Sequence, residues 1–124
     1  MATVTFKCTT TTSDLTSDSI SSTIENSFTA TQGGIQRENI TALVGSPATV
    51  IAHADHAAGS MVYLKNAGAL NLFIKFEATG AGSVYDMYLT PNDWALFPWA
   101  ADTSDIRVYA SGDTGCLLEY GVFE

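Results

Sequence analysis

The chain has 124 residues, 46% of them hydrophobic, which is enough for one domain with a real core and too apolar for a disordered segment. Thirteen acids against five Lys and Arg give a formal net charge of −8, and Lys7, Arg37, Lys65, Lys75 and Arg107 are scattered. No basic stripe faces phosphates, so nucleic acid is not an expected partner. No apolar run nears the roughly 20 residues that span a bilayer, and "MATVTFKCTTTTSD" has no apolar stretch behind a basic start. No membrane partner is expected, and the chain reads as a soluble product of a cytoplasm.

Val4, Phe6 and Cys8 alternate with Thr5, Lys7 and Thr9, which predicts a first strand. "TTTTS", Thr9 to Ser13, suits a polar edge strand or a connector. Ile20, Ile24 and Phe28 fit both a period of 2 and a helical i, i+4, i+8 stripe; the Ser/Thr and β-branched content favours strand. Gly33-Gly34 opens a further strand over Ile35 to Val44. Gly45-Ser46-Pro47 is a turn, and Ala48 to Ala52 another strand.

The C-terminal half is more regular. "YLKNAGALNLFIKF", Tyr63 to Phe76, reads as a hairpin, with Asn66 and Gly68 in the turn and Leu72, Ile74 and Phe76 on one face opposite Lys75 and Glu77. "ATGAGS", Ala78 to Ser83, is a glycine loop, and Val84 to Leu89 a strand. Thr90-Pro91-Asn92-Asp93 is a turn with Pro91 in second position. Trp94 to Trp99 is a strand broken near Pro98. Ile106, Val108 and Ala110 mark the next strand, "SGDTG" a turn, and Cys116, Leu118, Tyr120 and Val122 one face of the last. Short strands at intervals of about a dozen residues predict an all-β fold, an antiparallel β-sandwich or jelly-roll-like barrel with an extended N-terminal segment. The composition divides the chain into residues 1–45, a Ser/Thr-rich arm or set of added strands, and 46–124, a β-sandwich, with one structural domain overall.

Chemistry is sparse. The two histidines, His53 and His56, have no adjacent nucleophile motif, so no catalytic residue is assigned and the chain is not read as an enzyme. "HADH", with His53, Asp55 and His56, holds metal-ligand types, but a polar loop explains it better. Asp102 and Asp105 in "ADTSD" lack the glycine and distal Glu of a calcium loop. No metal or cofactor is assigned. Gly80 and Gly82 precede no helix, so they make no phosphate loop. Cys8 and Cys116 are read as free thiols in preference to a disulfide. Trp94 and Trp99 could stack on sugars beside Asp93 or Asp102, though core or interface packing is the commoner role.

Several strands are apolar on both faces. In "DWALFPW", Trp94, Leu96 and Pro98 oppose Ala95, Phe97 and Trp99; in "CLLEYGVF", Leu117 and Phe123 oppose the Cys116 set. Bends could put both sets into one core, or one set could meet another subunit; the second reading is favoured. Trp94, Phe97, Trp99, Leu117 and Phe123 are the residues expected at a trimer or capsid interface.

"YLKNAGALNLFIKF", "LTPNDWALFPWA" and "VYASGDTGCLLEYGVFE" together resemble a group of small bacteriophage virion proteins, capsid cement (decoration) proteins and other accessory head or tail proteins. The likeness covers Met61 to Glu124, and Asp93 stands where Glu is more usual. It implies a β-sandwich assembled as a homotrimer, bound to the major capsid protein on the outer shell of a virion and stabilising it across capsomer boundaries. The acidic charge suits that outer surface. A receptor- or glycan-binding module of a head or tail fibre is the alternative.

Overall fold

The computed structural model describes residues 1–12, 20–77, 84–101 and 104–124. Its regular elements are strands, apart from one 3₁₀ turn at His53–Asp55. The glycine loop at Ala78 to Ser83, Asp102, and Ser13 of the Thr-rich run lie outside the described residues. The chain divides into two compact units, Met1–Gln32 and Gly33–Glu124. The sequence expectation put the change at 45/46. The division lies earlier because the strand after Gly33-Gly34 is fully paired in the second unit.

The first unit is a two-stranded antiparallel ribbon of β1 (Ala2–Thr12) and β2 (Ile20–Ala30). The segment around Ile24 and Phe28 is thus strand, not helix. Directly paired residues share a face, so Val4↔Phe28, Phe6↔Asn26 and Cys8↔Ile24 form one side. Phe6 and Phe28 stack with ring centroids 6.1 Å apart. The other side is a hydroxyl ladder, with Thr5 and Ser27 oxygens 2.8 Å apart and those of Thr9 and Thr23 3.1 Å apart. Lys7 and Glu25 pair there at 3.7 Å.

Among its described residues the second unit holds eight strands in two four-stranded antiparallel sheets. Sheet one runs β3 (Gly33–Ile40), β10 (Cys116–Phe123), β5 (Ser60–Asn66), β8 (Trp94–Trp99). Sheet two runs β4 (Ala48–Ile51), β9 (Asp105–Ala110), β6 (Leu72–Glu77), β7 (Met87–Leu89). Every connection passes from one sheet to the other except that between β6 and β7. That strand order is a double-sheet jelly roll. Among the described residues the sheets stay separate, so the fold is a sandwich and not a closed barrel.

The topology corrects one expectation. Tyr63 to Phe76 is not a hairpin, because β5 belongs to sheet one and β6 to sheet two. The turn residues form an arch between layers, and Asn66 holds it. Fully buried, its Nδ2 donates to Leu70 O (2.7 Å) and Leu89 O (3.0 Å), and its Oδ1 accepts the Gly68 N–H (3.0 Å). The Cys116 thiol donates to the same Oδ1 at 3.3 Å. Gly68 lies so close that an added Cβ would stand 2.5 Å from Cys116 Sγ and 2.6 Å from Leu117 N, so any side chain there would force these atoms to move.

Between the sheets lie Val62, Leu64, Leu118 and Val122 from one layer and Leu72, Ile74, Ile106 and Val108 from the other, all buried. A fully buried aliphatic side chain of this size stabilises by about 1.5–3 kcal/mol. Phe76 and Phe97 meet edge to face across the layers, centroids 5.5 Å apart. A bulge between Thr49 and Ile51 turns Ile51 inward. Pro98 is tolerated in β8 because that strand is an edge and needs no ladder donor there.

The Thr90–Asp93 turn positions the start of β8. Pro91 takes the second position, Asn92 the third with φ 73, and the Asp93 N–H closes on Thr90 O at 2.9 Å, as in a type II turn. Asp93 Oδ2 accepts the Thr90 N–H (2.8 Å) and hydroxyl (2.7 Å), which hold its carboxyl below the usual carboxylate range.

Candidate functional site

Register places three outward rows across sheet one. Gly33, Phe123, Met61 and Pro98 form the first; Ile35, Gly121, Tyr63 and Leu96 the second; Arg37, Glu119, Lys65 and Trp94 the third. Two rows are mainly apolar and the third is mainly charged. Trp94 is 48% exposed and Ile35 60%. Gly121 sits mid-sheet because Phe123 folds across it: an added Cβ would lie 3.1 Å from the Phe123 ring and 2.8 Å from Gly34 O. Phe123 is buried although it points away from the core between the sheets.

The charged row is bonded into the sheet. Arg37 Nε donates to Glu119 Oε2 at 2.8 Å, and the Tyr63 hydroxyl donates to Glu119 Oε1 at 3.0 Å. The Arg37 hydrogen bond, ahead of the one from Tyr63, holds the Glu119 carboxyl below its ordinary range. Burial, with Glu119 adding, raises the Tyr63 phenol. This network leaves a fixed polar border beside the apolar rows.

The five residues singled out from sequence do not share this surface. Trp94 and Leu117 lie on the outer face, with Phe123 folded against it. Phe97 and Trp99 point the other way and pack against the core. Period-2 alternation separates the two sets in β8 but does not say which set faces the opposite sheet.

Sheet two carries an aromatic cluster that sequence reasoning passed over. Phe73 is paired directly with Tyr88 and with Tyr109, forming a row across three strands. Its ring lies 5.2 Å from Tyr88, 4.8 Å from Tyr109 and 4.8 Å from Tyr85. Tyr85 and Tyr88 remain 45% and 43% exposed, while Tyr109 is buried, which raises its phenol. The available signal was the aromatic placement of Phe73 opposite the Leu72 and Ile74 face. Next to this row, Lys75 is buried with its ammonium 3.0 Å from Glu77 Oε1.

The "HADH" segment is a crossover from β4 to β5, and its histidines turn to different carboxylates. His53 Nδ1 lies 2.6 Å from Asp105 Oδ1, and His56 Nδ1 lies 2.5 Å from Glu124 Oε1. Among the described residues no group of three His, Cys, Asp or Glu converges as a metal site. Cys116 is buried, Cys8 is half-buried in the ribbon, and both are free thiols. No described helix is long and apolar enough to cross a membrane. No protein-family model and no curated protein matches the chain.

Proposed function

We propose that this chain is a structural protein of a bacteriophage virion, a cement protein that trimerises and binds the major capsid protein on the outer shell. The observation that carries the reading is the outward face of sheet one: Leu96, Pro98, Met61 and Ile35 form apolar rows, bordered by the Arg37–Glu119–Tyr63 network and by the half-exposed Trp94 at the end of the charged row. An apolar centre with a polar rim is how protein–protein contacts are composed. The jelly roll is compatible, being an architecture that capsid domains use, though a fold alone does not decide function. The sequence likeness over Met61 to Glu124 supplies the viral context. Contacts to several shell subunits at once would add through multivalency, so no single one need be strong.

Of the residues first singled out, Trp94, Leu117 and Phe123 keep a place in this interface, and Leu96, Met61 and Ile35 join them. Light scattering on the purified chain, with co-sedimentation against DNA-free capsid shells, tests the reading. A trimer that pellets with shells is expected, and Trp94→Ser with Ile35→Ser should weaken both behaviours. A monomer that stays in the supernatant would end the proposal.

The second reading, a glycan- or receptor-binding module of a fibre, is favoured by the half-exposed Tyr85 and Tyr88 on the other sheet. Binding on a glycan array that Tyr85→Ala abolishes would support it in place of the first.

A further inference from the structure

The β4–β5 crossover is fastened twice, in the same way each time. Asp105 Oδ1 accepts the His53 backbone N–H (3.0 Å) and faces His53 Nδ1. Glu124 Oε2 accepts the Ala57 backbone N–H (3.1 Å) while its Oε1 faces His56 Nδ1. Asp105 belongs to β9 of sheet two, and Glu124 directly follows β10 of sheet one. One short segment is therefore tied to both layers of the sandwich. Its interior is stiffened by His56 N–H to His53 O (3.3 Å) and by the Ser60 hydroxyl to Ala57 O (2.6 Å).

We propose that residues 53–57 form an acid-released clasp: ionised Asp105 and Glu124 hold the segment against both sheets, and protonating them frees it before the core of the sandwich unfolds, while the Gly59 N–H to Trp99 O bond keeps its C-terminal end on β8. An imidazole can donate from Nδ1 whether neutral or protonated, so the switching groups are the carboxylates. Each accepts two donors as an anion; the neutral acid loses the charge assistance of both bonds. Among the described residues the charged groups around Asp105 include His53, Arg107 on its own strand, and Glu77, its register partner on β6. Asp55, on the same 3₁₀ turn, is exposed. Glu124 faces His56, whose ring lies 6.0 Å from Trp99.

The direction follows from the carboxyls. The His53 backbone N–H, then its imidazole, hold Asp105 below the ordinary range, and the His56 imidazole does the same for Glu124. A depressed carboxyl contributes fully above its unfolded value and loses that contribution as pH falls through the folded one. Release therefore lies below about pH 4, the ordinary carboxylate range. The buried cluster between the sheets is apolar and includes no carboxylate, so it has no such dependence of its own.

Hydrogen exchange followed by NMR tests this, with protection factors corrected for intrinsic rate. The His53 and Ala57 amides should lose protection by at least about tenfold between pH 6 and about pH 2, below the depressed carboxyls, while the Val62 and Leu118 amides keep theirs. The Asp105→Ala, Glu124→Ala double variant should show the unprotected segment at pH 7 and no further acid step. The two amides tracking Val62 and Leu118 at every pH would overturn the clasp. Should the double variant not fold, the wild-type series still decides. In a Trp94→Phe background, Trp99 fluorescence should report the same step.

Discussion

The N-terminal ribbon and the jelly roll use the same alternating pattern to opposite effect. Within the ribbon the cross-strand pair is the unit of stabilisation, and such pairs contribute about 0.2–1 kcal/mol each. Val4, Phe6 and Cys8 are only half-buried, and Ile24 is 69% exposed. In the jelly roll the same alternation puts every second residue against another sheet, and Val62, Leu64, Ile74 and Leu118 disappear from solvent. Alternation thus specifies a strand with two faces; the presence of a second layer makes one of those faces a core. Disturbing the two regions should cost very different amounts.

The largest effect is expected at the arch between layers. Asn66→Ala removes the donor to Leu89 O and the acceptor of the Gly68 N–H, leaves Leu70 O only the weak Cys116 thiol donor, and should cost about 3–5 kcal/mol in urea unfolding. A loss under about 1 kcal/mol would mean that the arch is not what aligns the sheets. Gly68→Ala should follow, at about 1–3 kcal/mol, because Cys116 and the Leu117 backbone must move. If Cys116→Ala restores most of that loss, the clash lies at the thiol; if it does not, the backbone contact dominates.

On the outer face, Glu119 sits below its ordinary range, so its contribution is present above that range and fades as pH falls through the depressed value. Glu119→Gln should lose up to about 1 kcal/mol at pH 7, since Arg37 is largely exposed, and should flatten the acid limb of stability against pH. Equal slopes for variant and parent would show that the network does not respond to proton loading. The smallest effect belongs to the ribbon: Lys7→Ala removes an exposed pair at 3.7 Å and should change melting by less than about 0.5 kcal/mol. A larger loss would show that the ribbon depends on its polar ladder as the jelly roll does on its core.

Much of this was legible beforehand, and the gaps have physical causes. The turn at Thr90 to Asp93 was readable because Pro91 and Asn92 carry their conformations locally. The strand through Phe28 was readable from its β-branched and hydroxyl residues. The supposed hairpin at Tyr63 to Phe76 failed because Asn66 and Gly68 serve a tight turn and an interlayer arch equally well; the difference lies in Cys116 and Leu89, remote in sequence. Trp99 and Phe97 were grouped with Trp94 for a related reason, since an edge strand with two apolar faces does not say which one is covered. The pairing of His53 with Asp105 and of His56 with Glu124 spans 52 and 68 residues, beyond any local motif.

Local chemistry by itself determined that this protein is all-β, where most of its strands and turns fall, and that several strands carry apolar residues on both sides. Only the tertiary structure decided the jelly-roll order, which side of β8 became core, and which carboxylate each histidine meets. Backbone conformation and side-chain alternation are properties of neighbouring residues, whereas burial and ion pairing depend on which distant strand arrives opposite.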